Sequence, residues 1–244
     1  MPINHGYDED AIVQAIAQAL ENFYANLIAN INGLDIKKVI KRKNPYLFRA
    51  KAINDASAIV SSILSAYVSS SEETIFGNVF FEPIATIAAQ GQKALAEGVD
   101  IMVERDDTIY AIAVKSGPSV FNADSRKKQE QNFIAAGKLA QQAKKRFVPI
   151  VGYGYGKKKS TNRGLPKFYA ELAGKDFWEE LTGDGEFYVK LIRLMDKLPE
   201  KYAEEFNEAY QKAYKRLLSE FTKEYCRPDG SVDWEKFLKI NSGT

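Results

Sequence analysis

The stretch GVDIMVERDDTIYAIAVKSGP, Gly98 to Pro118, constrains this chain most. Val99, Ile101 and Val103 alternate with other residues as far as Arg105-Asp106-Asp107. Ile109, Tyr110, Ile112 and Val114 fill a second arm with β-formers. A two-residue turn at Asp106-Asp107 sets Arg105 opposite Thr108 and Asp100 opposite Ala113. Lys115, two residues past Ala113, then shares a face with Asp100. An acid and an amine meet on an otherwise apolar hairpin. A buried charge is costly unless it is paired or bound to a metal. Two readings follow. One is a plain salt bridge at the end of a sheet. In the other, Asp100 binds a divalent cation and Lys115 steadies or deprotonates an attacking water.

The rest of the composition narrows the chemistry. The chain has 244 residues, enough for one large domain or a domain with a helical annex. A net charge of +2 sets up no global field for an acidic partner. Basic clusters do occur at Lys37 to Lys43, Lys127-Lys128, Lys144 to Arg146 and Lys157 to Lys159. Each suits a solvated surface as well as DNA. The single cysteine, Cys226, rules out an intramolecular disulfide and a zinc ribbon. The single histidine, His5, sits near the start and argues against His-dependent triads and His metal sites. No secretory leader and no apolar run of spanning length is evident, so an intracellular, soluble protein is expected.

Around the hairpin the pattern is mostly helical. Ile12, Ile16, Leu20, Phe23, Leu27 and Ile31 repeat at helical spacing over Asp8 to Asn30. A short basic helix follows over Asp35 to Arg42. In KNPYLFRAK, Lys43 to Lys51, Asn44-Pro45 breaks it. Arg49 and Lys51 follow aromatic Tyr46 and Phe48 there, a pattern that suits a nucleic-acid backbone or a loop pinned to the core. Asn54-Asp55 caps a helix to about Tyr67. A restart at Ser69 to Ser71 places Ser70 and Glu73 in capping-box register. From Glu72 to Gln90 the pattern is strongly apolar. On a helical wheel Phe76, Phe80, Ile84 and Ile87 fall within about 60° of Glu73. Glu73 is therefore either a cap or an acid aimed where the apolar face points.

After the hairpin, Asp124 to Arg146 reads as a helix capped by Asp124 or Ser125, with Lys127, Lys128, Gln131 and Asn132 on a DNA-facing surface. Phe147 to Gly152 reads as a strand, and the strand–helix–strand order implies parallel pairing through a right-handed crossover. GYGYGKKKSTNRG, Gly152 to Gly164, fails as a phosphate loop because Lys158 stands where Ser or Thr is needed. It remains a basic loop whose Asn162 and Arg163 carry donors suited to base edges, or a solvated loop. Trp178, Leu181, Phe187, Tyr188 and Leu191 read as core. Glu200 to Tyr225 reads as a long helix with an aromatic stripe, and Trp234 to Ile240 as a closing helix. Pro228-Asp229-Gly230 is a turn.

The strand–Asp–turn–strand–Lys pattern resembles the core of the PD-(D/E)xK nucleases. With KNPYLFRAK, SSEETIFGN, AVKSGP and FWEELTGD in order, residues 43–193 resemble type II restriction endonucleases of that superfamily. Two departures stand out: Val99 precedes Asp100 where the pattern has Pro, and Ala113 stands in the place of the second acid. The resemblance implies an α/β, restriction-endonuclease-like three-layer core with a mixed central sheet, plus N- and C-terminal helical additions. The whole chain is expected to be one nuclease domain, with a helical part at 1–70, the core at 71–195 and C-terminal helices at 196–244. It implies a Mg²⁺-dependent, sequence-specific endonuclease acting on double-stranded DNA as a homodimer, with a cognate DNA methyltransferase in the same cell. Asp100 and the Val114 backbone carbonyl would hold the metal, and Lys115 would serve catalysis. Glu73 would replace the missing acid, with Glu130 second. Ser116 and Asn122 would touch the scissile strand, beside Arg49, Lys51, Lys127, Lys128, Asn162 and Arg163. A junction resolvase or repair nuclease, and a non-catalytic DNA-binding protein on a decayed core, are the alternatives.

Overall fold

A computed structural model describes residues 2–158 and 168–242. In chain order it forms α1 (Glu9–Asn32), α2 (Ile36–Ile40), α3 (Pro45–Ala50), α4 (Ala56–Val79), α5 (Phe81–Ala88), β1 (Gln92–Lys93), β2 (Ile101–Arg105) and β3 (Thr108–Lys115). There follow α6 (Ala123–Gln142), β4 (Arg146–Tyr153), β5 (Ala170–Ala173), α7 (Lys175–Thr182), α8 (Phe187–Met195), α9 (Glu200–Tyr225) and α10 (Trp234–Ser242). Two compact units result: Met1–Leu20 with Phe76–Pro199, and Glu21–Ile75 with Glu200–Thr244.

The first unit is built on a five-stranded sheet in the order β1-β2-β3-β4-β5. β1, β2 and β3 pair antiparallel, and β3, β4 and β5 pair parallel. The expected hairpin register is present: Arg105 faces Thr108 and Ile101 faces Ile112. Asp106 takes φ +49° in the turn, a conformation that Asp tolerates better than most residues. The sheet has two covered faces. Ala111, Ala113, Val151, Tyr153 and Ala173 pack with Phe133 and Ala136 of α6. On the other face a Cβ on Gly152 would lie 2.0 Å from Phe177 Cε2, and one on Gly154 2.3 Å from Phe81 Cδ1. Glycine at those positions lets α7 and α5 lie flat on the strand. Helices on both faces of a mixed sheet make the three-layer α/β core anticipated from the sequence.

Several local expectations differ. α4 runs unbroken through Ser69 to Ser71, and Thr74 Oγ1 bonds back to Ser70 O at 3.1 Å, so the capping box does not form. The break comes instead between Val79 and Phe81. Pro83 explains it, because its ring clashes with the carbonyl four residues back, that of Val79, and it offers no N–H. The break at Asn44-Pro45 is present, but no loop follows it: Pro45 sits in the first turn of α3, and the Asn44 side chain accepts from Leu47 N. Asn122, rather than Asp124 or Ser125, caps α6. Its Oδ1 accepts from Ser125 N at 2.8 Å, and Ser125 Oγ accepts from Asn122 N at 3.0 Å. Tyr188 is exposed, whereas Trp178, Leu181, Phe187 and Leu191 are buried.

The second unit is helical. Its core joins Phe221, Tyr225, Phe237 and Phe48, with ring centroids between 5.0 and 6.4 Å apart. Arg216 of α9 donates to the carbonyls of Leu34, Ile31 and Asn32, so it closes the end of α1. Tyr24 stacks on Tyr202 at 5.2 Å, which gives part of the aromatic stripe of α9 a partner within the chain.

Candidate active site

The expected acid–amine pair lies at the open end of the hairpin. Asp100 precedes β2, and its backbone is held on both sides: its N–H donates to Ile112 O at 2.9 Å, and its carbonyl accepts from Ala94 N at 3.0 Å. The next donor along β3, Val114 N–H, goes to the Asp100 carboxylate rather than to a backbone carbonyl, at 2.7 Å from Oδ2. The side chain thus finishes the ladder where β2 begins. Lys115 Nζ lies 3.4 Å from the same Oδ2 and donates to Val114 O at 2.9 Å. The Lys115 and Asp100 side chains are 30% and 24% exposed. They are reachable from solvent yet partly desolvated.

Ala113 occupies the site of a second strand acid, fully buried beside Phe133 and Tyr153. Among the described residues no group of three His, Cys, Asp or Glu side chains gathers into a metal-binding cluster. Of the two donors anticipated instead, Glu73 is exposed on α4 and Glu130 is exposed on α6. Gly77, one helical turn beyond Glu73, lies against Ser116: a Cβ there would come within 3.1 Å of Ser116 Oγ. Residues four apart share a helix face, so Glu73 occupies the side of α4 that carries Gly77. Ser116 is half-buried, and its carbonyl accepts from Tyr155 N at 3.0 Å.

The anticipated DNA contacts are scattered. Lys127 and Lys128 are exposed on the first turns of α6, and Lys128 pairs with Glu97 at 2.9 Å. The Asn122 side chain is taken up by the helix cap. Arg49 bonds Asn54 Oδ1 at 2.6 Å and stacks 5.4 Å from the Trp234 ring in the second unit, where Lys51 is exposed. Asn162 and Arg163 lie outside the described residues.

Two residues near the pair escape a sequence reading. Gln129, 5% exposed, donates from Nε2 to Gly98 O at 2.6 Å. It ties α6 to the loop that leads into Asp100. The same loop is tight, because Gly98 has φ +70° and a Cβ there would strike Asn132. Glu171 of β5 is the second: its side chain is 7% exposed and receives Arg126, Lys158 and the Tyr153 hydroxyl. Burial beside the Glu171 carboxylate pushes the Tyr153 hydroxyl far above its ordinary range. A helical Gln and a strand Glu look like surface residues in a sequence, and only their neighbours bury them.

A cavity of about 850 Å³ opens on the α5–α7 face, lined by Phe76, Phe80, Tyr155, Trp178 and Ile192 among others. It is apolar and contains neither Asp100 nor Lys115, so cavity size does not point to the chemistry in this chain.

The family model for the type II restriction endonuclease EcoO109I matches residues 10–221 of this chain. No curated protein matches it.

Proposed function

The chain belongs to the type II restriction endonuclease EcoO109I family, which makes it a site-specific deoxyribonuclease, and from that premise we propose that it cuts duplex DNA in a Mg²⁺-dependent reaction at Asp100 and Lys115. One observation carries this reading. The Lys115 ammonium bridges the Asp100 carboxylate and the Val114 carbonyl. Two oxygens, one charged and one a backbone dipole, already hold a cation between them. Hard oxygen donors of this kind suit Mg²⁺, which needs only one or two carboxylates when water and a substrate phosphate fill the remaining positions.

Asp100 and Val114 O would hold the ion, and Glu73 would add the second carboxylate in place of Ala113. Support for Glu73 is its exposure on α4. Bound there, Mg²⁺ would polarise the scissile phosphate and lower the pKa of a bound water. The chain's own groups do the rest. Asp100 is fixed by three backbone partners, two on its main chain and one on its carboxylate, so its position varies little. Lys115, released from its present contacts, orients as an ammonium, or deprotonates as a neutral amine that has first given up a proton to solvent, the water that attacks phosphorus in line with the leaving oxygen. Ser116 adjoins that point and would contact the scissile strand. Lys127 and Lys128 would contact backbone phosphates at the start of α6. A palindromic site cut on both strands calls for two copies related by a two-fold axis, and host DNA with such sites calls for a methyltransferase.

The test is Lys115→Ala on plasmid and on a fluorescent duplex. Cleavage is expected to fall by at least a factor of about 10² while duplex affinity stays within about threefold, as for removal of a group that acts on the nucleophile. Wild-type turnover in this variant would remove Lys115 from the reaction.

A further inference from the structure

Beside the acid–amine pair lies a second charged cluster on the α6 face of the sheet, and the cleavage scheme above makes no use of it. Glu171 Oε1 accepts from Arg126 Nη1 at 2.9 Å, from the Tyr153 hydroxyl at 2.7 Å, and lies 3.2 Å from Lys158 Nζ. Glu171 is on β5, and its partners come from the first turn of α6, from β4 and from the segment after β4. Each cation also rests on an aromatic face: Arg126 lies 5.5 Å from the Phe121 ring centroid and Lys158 5.2 Å from that of Tyr153. Rings and the anion hold both long side chains in one geometry, which removes most of the rotamer freedom such side chains normally keep. The side chains of Arg126 and Lys158 nevertheless remain 32% and 25% exposed, against 7% for Glu171. The anion is inside and the cations face out.

Position gives the cluster meaning. Tyr153 is the partner of Lys115 in the parallel β3–β4 register. Paired residues on neighbouring strands are about 4.8 Å apart and point to the same face. The ring under Lys158 therefore belongs to the residue next to Lys115. Among the described residues Glu171 receives two cations, and each keeps part of its surface open to solvent.

We propose that Arg126 and Lys158, held by Glu171, form a clamp for a backbone phosphate adjoining the scissile one. The proposal rests on the endonuclease reading above. In it Glu171 is a positioning residue that touches no DNA, and the two cations fix the strand so that the scissile bond falls at Asp100 and Lys115. Backbone contacts of this kind set register and carry no sequence information.

Salt dependence of duplex binding tests it. Anisotropy titrations of a labelled 30-bp duplex of arbitrary sequence, in Ca²⁺ and over 50–200 mM KCl, give the slope of log K against log [KCl]. Each phosphate contact contributes about 0.9 to that slope. Lys158→Met and Arg126→Gln are each expected to make it shallower by about 0.9, and Lys158→Arg to restore it. Lys145→Met is the control: Lys145 pairs with Glu104 beside the hairpin turn, at the opposite end of the sheet, and its loss should leave the slope unchanged. Thermal melts run alongside show which variants are folded, and two cation variants on separate elements keep one misfolded protein from deciding the result. Wild-type slopes in both Lys158→Met and Arg126→Gln, or an equal change in Lys145→Met, overturn the clamp while leaving the endonuclease reading intact. A wild type that does not bind duplex at all overturns both.

Discussion

Replacing Gln129 by Leu keeps the volume of the side chain and deletes its donor. The structure indicates what is lost. Nε2 of a 5% exposed residue donates to Gly98 O at 2.6 Å, and Leu leaves that carbonyl without its partner. Gly98 is half-buried, so the cost lies at the low end of the roughly 1–3 kcal/mol for a stranded polar group. About 1 kcal/mol corresponds to a fall in melting temperature of about 2–4 °C for a chain of this size. The cost has a functional side, because Gly98 is two residues from Asp100 and takes a φ of +70° in the loop that leads into it. Freed from α6, the loop leaves Asp100 to its three backbone partners alone, and the carboxylate is fixed less firmly. Differential scanning calorimetry reads the first effect. A cleavage titration in Mg²⁺ reads the second, as a half-saturating Mg²⁺ concentration raised by about tenfold, the usual size of a loss in orienting a ligand. A Gln129→Leu protein with both the melting temperature and the Mg²⁺ response of the wild type would refute the reasoning that α6 positions the acid.

Glu73→Gln should reduce cleavage and weaken Mn²⁺ binding measured by calorimetry, whereas Glu130→Gln should leave both near wild type; the reverse pattern moves the second carboxylate to α6. Gly152→Ala drives a Cβ to 2.0 Å from Phe177, and overpacking of this kind should destabilise by about 1–3 kcal/mol in a urea melt; unchanged stability would mean that α7 shifts freely. Burial, with Glu179 adding to it, raises the Glu180 carboxyl above its ordinary value of 4.5. A raised folded value favours folding below the unfolded value, and that contribution is lost as pH rises through the folded one. Glu180→Gln should therefore stabilise the protein at pH 7–8, with the gain fading toward pH 4.5; a gain that grows on acidification would contradict the sign.

The hairpin was legible because its signal is redundant. Alternation over Val99 to Val103 and a polar pair at Asp106-Asp107 specify the same register, and a slip of one residue would turn Asp100 away from Lys115. The long helices α1, α6 and α9 show in the sequence for the same reason, with several turns of one period. Other features depend on contacts that a linear pattern lacks. β1 and β5 are two and four residues long, too short for alternation to register, so Glu171 reads as a loop acid until β4 buries it. The break at Phe80 was present in the sequence as Pro83, but a continuous apolar run masked it. Asn44-Pro45 carried both meanings, since proline stops one helix and starts the next. Gln129 could have been suspected as a polar residue on the Phe133–Ala136–Ala140 face of α6. Its partner, a carbonyl thirty-one residues earlier, could not.

Cleavage is assigned to Asp100 and Lys115 at the end of this hairpin, with a divalent cation and a second carboxylate from Glu73. Phage-sized DNA digested with the purified protein in Mg²⁺, in EDTA, and with Asp100→Ala in Mg²⁺, followed by sequencing of the ends, measures it directly. Fixed termini at a short recurring sequence are expected with wild type and Mg²⁺, and intact DNA in the other two digests. Discrete fragments that persist in EDTA or with Asp100→Ala would contradict that assignment.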